Sequence, residues 1–466
     1  MKRSLLPSVE QLRSILMVAK NYSGLLRDVY KAHSDKSMVG MFIINQPVLL
    51  VRDPDIIKVI LHTEFNCFRA HRELDNKLDP LLSKDPFFQN GHSWKVSRGV
   101  FLMAFTSKKL RYLSTIVKNI STMLIHNLDN ELIEKNYIDI EAKNFFADFT
   151  TSIGVNSLLG IENKSLMEMY VKLFRNMMDN IFEPSLIASL KNNLDFFNPM
   201  IGNLLNSGLV PSDINEKFLK IIEDIIEIRK QNGSNKNDIL ENIIDYEKKF
   251  IPNDDVPAHA FSFLVESFET SSVTLSFLFY QLSKHQNVQQ KVREEVFRVL
   301  EKFDNELNYD TIKEMTYMDQ VINESLRMFP SAGRFMKICT EQIELSAANG
   351  ERCLLTPGDV VTISLEGLHN DPKLWDNPDE FNPERFNRNS MDYKLRHKFI
   401  FLPFGSGQRM CPGMRMGLIN VKMATATIIQ KFIIDSSPKL QLPIKIDNSY
   451  FFSRVKGGAW IRFKRL

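Results

Sequence analysis

Apolar positions recur mostly at helical spacing along this chain, and strand-like runs are confined to short stretches. From Val256 to Lys284, Phe261, Leu264, Val265, Phe268, Val273, Leu275, Phe277 and Leu278 are distributed almost all the way round, which predicts a long helix buried on most faces. Phe218, Ile221, Ile222, Ile225 and Ile228 instead share one face opposite Lys, Glu and Asp, an amphipathic helix that yields to a polar loop at Gln231-Asn232-Gly233-Ser234-Asn235. Leu12, Ile15, Leu16 and Ala19 predict another amphipathic helix near the N-terminus. Met41 to Val51, broken at Asn45-Gln46-Pro47, reads as two short strands around a turn, after which Asp53-Pro54 opens a helix with Asp53 as N-cap. Thr356-Pro357-Gly358-Asp359 marks a turn before a strand from Val360 to Leu365. The expected fold is mainly α with small β-sheets.

Composition narrows the function classes. The 466 residues are 44% hydrophobic and 25% charged, as in a soluble globular protein, with no composition break and no internal repeat. A net charge of +3, with no basic block interleaved with aromatics, argues against a nucleic-acid partner. The cysteines, Cys67, Cys339, Cys353 and Cys411, are few and irregularly spaced, which suits a reducing compartment rather than a disulfide framework. The longest early apolar run, Ile15 to Ala19, falls well short of the ~20 residues of a membrane span and of a signal-peptide core. The expected division is an N-terminal helical segment over 1–40, lacking a membrane anchor, and a principal domain over 41–466.

One cysteine stands in a sequence built to present it. In Phe404-Gly405-Ser406-Gly407-Gln408-Arg409-Met410-Cys411-Pro412-Gly413, glycines allow the backbone to bend and a flat group to approach closely. Arg409, two residues from the thiol, can neutralise a carboxylate. A cysteine becomes an axial iron ligand only as the thiolate, whose electron density favours O–O cleavage. The spacing Phe404, Gly407, Arg409, Cys411, Gly413 resembles the haem-thiolate loop of the cytochromes P-450.

Other matches follow in that family's order. Trp94 and Arg98, four apart on a helical pattern, resemble a pair that holds a haem propionate. Glu269-Thr270 matches the acid and alcohol of the oxygen-binding signature, whereas Glu266-Ser267 stands where that signature has Ala/Gly-Gly. Glu324 and Arg327, with Arg385 in Pro383-Glu384-Arg385-Phe386, resemble a structural triad that fixes the cysteine loop. Lys337 occupies a propionate-binding position usually held by Arg. His369 is read as a satisfied loop histidine.

The resemblance covers nearly the whole chain and implies a cytochrome P-450 fold and haem b, with Cys411 as the metal ligand. It implies propionate or haem contacts from Trp94, Arg98, Lys337, Phe404, Arg409 and Gly413, and proton delivery by Glu269 and Thr270. The closest flavour is that of insect microsomal monooxygenases acting on xenobiotics and other small lipophilic molecules. Dioxygen would be the co-substrate. Electrons would come from an NADPH-dependent cytochrome P-450 reductase, with cytochrome b5 as a further donor, at the cytosolic face of the endoplasmic reticulum membrane. The altered signature at Glu266-Ser267 leaves two alternatives: a haem-binding paralogue with weak or no monooxygenase activity, and a member that rearranges an oxygenated substrate without a reductase.

Overall fold

A computed structural model describes residues 22–43, 46–183, 208–232, 238–250, 255–447 and 452–466. The helix expected around Leu12 to Ala19 lies outside them, as does most of the loop after residue 232. A helix over residues 22–32 (α1) buries Tyr22, Leu26 and Tyr30 in the same core as the strands that follow. Strands β1 (Met38–Ile43) and β2 (Gln46–Val51) pair antiparallel. A boundary at residue 40 would therefore cut β1, and the described part of the N-terminal segment is continuous with the domain. Asp53 caps α2 (Pro54–Lys58) as expected, its carboxylate accepting from the Asp55 N–H at 2.9 Å.

Helices α3 (Gly91–Ala104), α4 (Ser107–Glu131), α5 (Ala142–Leu159), α6 (Lys164–Phe182), α7 (Ser212–Asn232) and α8 (Ile239–Phe250) surround α9 (Val256–Lys284), with β3 (Ile138–Glu141) leading into α5. Helices α10 (Gln286–Lys302) and α11 (Thr316–Met328) follow. The span of α9 is the one the apolar pattern predicts. Its most extensive packing is on α5, with Phe146 against Phe279 at 4.7 Å between ring centres. On α7, Phe218 and Ile222 enter the core, but Ile228 is 56% exposed, so the apolar face leaves the core toward the end of that helix.

Strands β4 (Arg334–Ile338) and β7 (Val360–Ser364) complete a sheet in the order β1-β2-β7-β4, in which β2 and β7 run parallel. Between them, β5 (Ile343–Ser346) and β6 (Arg352–Leu355) form a hairpin. Helix α12 (Leu365–His369) follows β7. Helix α13 (Met414–Ile429) leads into β8 (Phe432–Ser436), and a short pair, β9 (Ile446–Asp447) with β10 (Arg454–Val455), precedes β11 (Trp460–Arg465). Strand β11 pairs with both β3 and β8. The sheets flank a helical core centred on α9, and the functional residues lie where α9, α3, β4 and the loop before α13 converge.

Candidate active site

The loop before α13 is closed by its own backbone. The Cys411 N–H donates to the Phe404 carbonyl at 2.9 Å and the Met410 N–H to Gly407 at 3.1 Å. Gly405 and Gly407 adopt φ of +71° and +72°, in the left-handed region that other residues avoid. A Cβ on Gly407 would also collide with the Leu61 carbonyl oxygen. Gly407→Ala should therefore destabilise the protein by at least about 2 kcal/mol, read as a fall in unfolding midpoint. Gly413, by contrast, has an ordinary φ of −87°, and a Cβ there would lie 4.0 Å from Cys411 Sγ. The expected need for a bend at 413 is not met by the chain's own conformation.

Cys411 Sγ faces a cavity of about 450 Å³ with predominantly apolar walls. Burial first, and Glu266 second, push its pKa up to about 11, while the backbone N–H groups of Gly413 and Met414 and the Arg98 guanidinium act in the opposite direction. A thiol so placed stays protonated until a metal cation draws the proton off.

Around the same cavity stand Arg98, Arg409, Lys337 and His71. Arg98 donates to the Met410 carbonyl at 2.9 Å. Arg409 lies over the Trp94 ring, 4.5 Å from its centre, and donates to Gln89 O and Asn90 Oδ1, each at 2.9 Å. Lys337 Nζ meets His71 Nε2 at 2.7 Å. No carboxylate among the described residues forms an ion pair with any of these bases. Burial and then the charges of Arg409 and Arg98 lower Lys337 to about 7, and burial, Lys337 and Arg409 take His71 well below its usual value.

These surroundings fit a haem. A thiol receives N–H groups suited to an anion, and a cluster of mutually repelling bases lacks the carboxylates that would relieve it. The two propionates of a haem would supply them. Because Lys337 is lowered from 10.5 to about 7, it binds fewer protons than the unfolded chain between those values, and the stability it contributes rises with pH across that window. Propionates opposite it would reverse the shift. Haem binding at pH 8 should take up about one proton at Lys337 and release about one from Cys411, so the net change is near zero, and Lys337→Met should turn it into a net release of about one proton, measurable by titration in buffers of different ionisation enthalpy.

Helix α9 crosses the far side of the cavity. Its only residues that are not buried are Glu266, Ser267, Thr270 and, at its C-terminal end, Lys284. Glu266 and Thr270 are four apart and share the cavity face with Ser267 and Ser271. The Thr270 hydroxyl donates to the Glu266 carbonyl at 2.9 Å.

Glu269, expected to deliver protons with Thr270, does not line the cavity. One residue before Thr270, it is turned about 100° around the helix, away from the cavity. It is 1% exposed, with Arg454 Nη2 at 2.6 Å and Lys143 Nζ at 3.1 Å. Glu266 is the carboxyl of this segment that faces the cavity, where enclosure by the cavity walls first and Asp85 second raise its pKa to about 8.

The structure brings Glu324, Arg327 and Arg385 together. Arg327 holds Glu324 through Nε at 2.7 Å and Nη2 at 2.9 Å, and Arg385 Nε reaches Glu324 Oε1 at 3.3 Å. Arg327 also donates to the carbonyls of His369 at 2.9 Å and Pro378 at 2.8 Å. His369 lies outside the cavity and accepts from the Leu402 N–H at 3.0 Å. Its pKa of about 3, lowered by burial and then by Arg327, keeps the ring neutral.

Sequence reasoning missed His71 and Asp85. His71 follows Ala70, whose carbonyl accepts from the Ile338 N–H at 3.1 Å in an isolated bridge, and that contact sets it beside Lys337. No local periodicity encodes such a contact.

A family model described as "Cytochrome P450" matches residues 7–460. The chain is 32% identical to "Cytochrome P450 6j1" of Blattella germanica over 464 residues, covering 99% of this chain and 91% of that protein. It is 31% identical to "Cytochrome P450 3A28" of Bos taurus over 423 residues (88% and 80%), and 29% identical to "Cytochrome P450 6B7" of Helicoverpa armigera over 455 residues (94% and 87%).

Proposed function

The chain belongs to the cytochrome P450 family, and from that premise we propose that its substrate is a small lipophilic molecule, xenobiotic or endogenous, oxidised with electrons from an NADPH-dependent cytochrome P-450 reductase. The enzyme class itself is an oxidoreductase, a haem-thiolate monooxygenase. Cytochrome b5 is proposed as a further electron donor. The observation that carries the reading is the convergence of Cys411, the unrelieved cluster of bases and an apolar wall on one cavity.

Haem, when bound, supplies the activation of dioxygen. Cys411 Sγ would be its metal ligand, with the N–H groups of Gly413 and Met414 stabilising the thiolate. Arg98, Arg409, Lys337 and His71 would hold the propionates, with the Trp94 ring against Arg409. Phe404 accepts the Cys411 N–H and lines the cavity, so it fixes the height of the sulfur. The Thr270 hydroxyl is the proposed cavity-side proton donor. Glu269 acts on it indirectly, by pinning that turn of α9 to Lys143 and Arg454. The apolar walls select lipophilic substrates and limit bulk water.

The proposed location is the cytosolic face of the endoplasmic reticulum membrane; no described helix is long and apolar enough to cross a membrane. The protein reduced with dithionite and exposed to carbon monoxide should show the strongly red-shifted Soret band of thiolate ligation. It should turn over a lipophilic probe only with reductase and NADPH. Product without reductase would select the rearranging alternative, and a thiolate band with no turnover the weakly active one. Absence of haem after expression with ample haem would overturn the reading.

A further inference from the structure

The cavity carries a second polar feature that neither the thiolate nor the bases use. Glu266 on α9 and Asp85 on the loop before α3 both line it. They act on each other: Asp85 raises the pKa of Glu266. No described basic residue forms an ion pair with either. The cations of the cavity come from α3, β4 and the cysteine loop, where Arg98 and Arg409 act on Lys337, and Arg98 on Arg409, rather than on these acids.

Asp85 is 1% exposed, and its Oδ1 accepts from the Phe87 N–H at 2.7 Å. Its Oδ2 has no hydrogen bond of ordinary geometry. The Ser262 hydroxyl and the His259 ring beside it draw its acidity only partly back. His259 is itself committed, to Glu247 at 2.5 Å and Ser97 at 3.0 Å. Phe87, Phe88, Phe101, Phe105 and Phe263 line the same cavity, with Phe105 and Phe263 stacked at 6.2 Å. Their π-faces attract cations.

Unpaired carboxyls in an enclosed cavity are stabilised by an opposite charge, and no described residue forms an ion pair with them there. We propose that Glu266 and Asp85 select substrates bearing a substituted ammonium group, held between the two carboxylates with its alkyl groups against the phenylalanine rings. This rests on the cavity being the substrate site of a haem-thiolate enzyme, and it names the substrate class. It also gives a reason for a glutamate at a cavity-facing position of α9. The bulk of the ligand remains apolar, in keeping with the walls.

The test uses the ferric holoprotein and two probes of nearly identical shape, benzyltrimethylammonium and neopentylbenzene. The quaternary nitrogen has no lone pair with which to ligate iron. Binding is followed by calorimetry and by the Soret shift. The cation should bind the wild-type protein more tightly than its uncharged isostere. Glu266→Gln and Asp85→Asn should each weaken the cation by at least about 10-fold and change the isostere by less than about 3-fold. Equal binding of the two probes to wild type, or cation binding unchanged in both variants, would overturn the proposal. If neither variant folds, the wild-type comparison decides alone. The carbon monoxide spectrum of the same samples reports on Cys411 separately, so loss of the thiolate band overturns the enzyme reading and a failed probe comparison only the ammonium site.

Discussion

Cys411→Ser is expected to abolish the red-shifted carbon monoxide band and to reduce turnover on the order of a thousand-fold or more, with haem content falling as well. The substitution keeps size and shape, so packing changes little. What changes is acidity. The site already holds the native thiol up to about 11 through burial and Glu266, and an alcohol is intrinsically far less acidic than a thiol. The hydroxyl would remain neutral where the N–H groups of Gly413 and Met414 are arranged for an anion. A neutral oxygen cannot supply the electron density that favours O–O cleavage. Cys411→His separates ligation from charge: it should retain more haem than serine, with the band at the position of imidazole ligation. A serine variant with native spectrum and turnover would remove Cys411 from the mechanism.

The parts of the site that could be read from sequence are those fixed by local spacing. The cysteine loop is one, because the residues that bend and present it are contiguous. Glu324 and Arg327 are another, since three residues along a helix bring two side chains together whatever lies around them. The span of α9 followed from its apolar residues alone. Its rotation did not. Which of Glu266 and Glu269 faces the cavity depends on the helix phase, and that is set by α5 packing on one side and by Lys143 and Arg454 waiting on another. The match at Glu269-Thr270 located the right turn but assigned the carboxyl to the wrong face. His71 and Asp85 were illegible for a different reason, since both lie outside regular helices and owe their position to contacts with distant segments. The division at residue 40 marks where the resemblance becomes continuous, and it does not coincide with an element boundary, since β1 spans it and α1 packs into the core of the adjoining sheet.

Arg327→Ala should be the most damaging change remote from the cavity, destabilising the fold by about 3–5 kcal/mol. Both Arg327 and Glu324 are fully buried. Without the guanidinium, Glu324 keeps only Arg385 at 3.3 Å and the Asn382 N–H at 3.0 Å, and the carbonyls of His369 and Pro378 lose their donor. Much of the cost is the carboxylate left short of charge in a place water does not reach. Arg327→Lys keeps the charge but loses the planar fork, and should recover only part of the difference. The consequence reaches the cysteine loop through His369, which accepts from Leu402, whose own carbonyl accepts from the Gly405 N–H at 3.1 Å. Denaturant unfolding followed by far-UV circular dichroism and by the Soret band should therefore show both transitions moving together to lower denaturant. Acid adds a signature. His369 titrates near 3 in the fold against 6.5 ordinarily, so its contribution to stability is present above 6.5 and is lost as pH falls toward 3. Arg327 is the second cause of that shift after burial, and its removal should lessen this part of the acid sensitivity even as the total stability drops. A variant with native unfolding but diminished turnover would instead assign Arg327 to the chemistry.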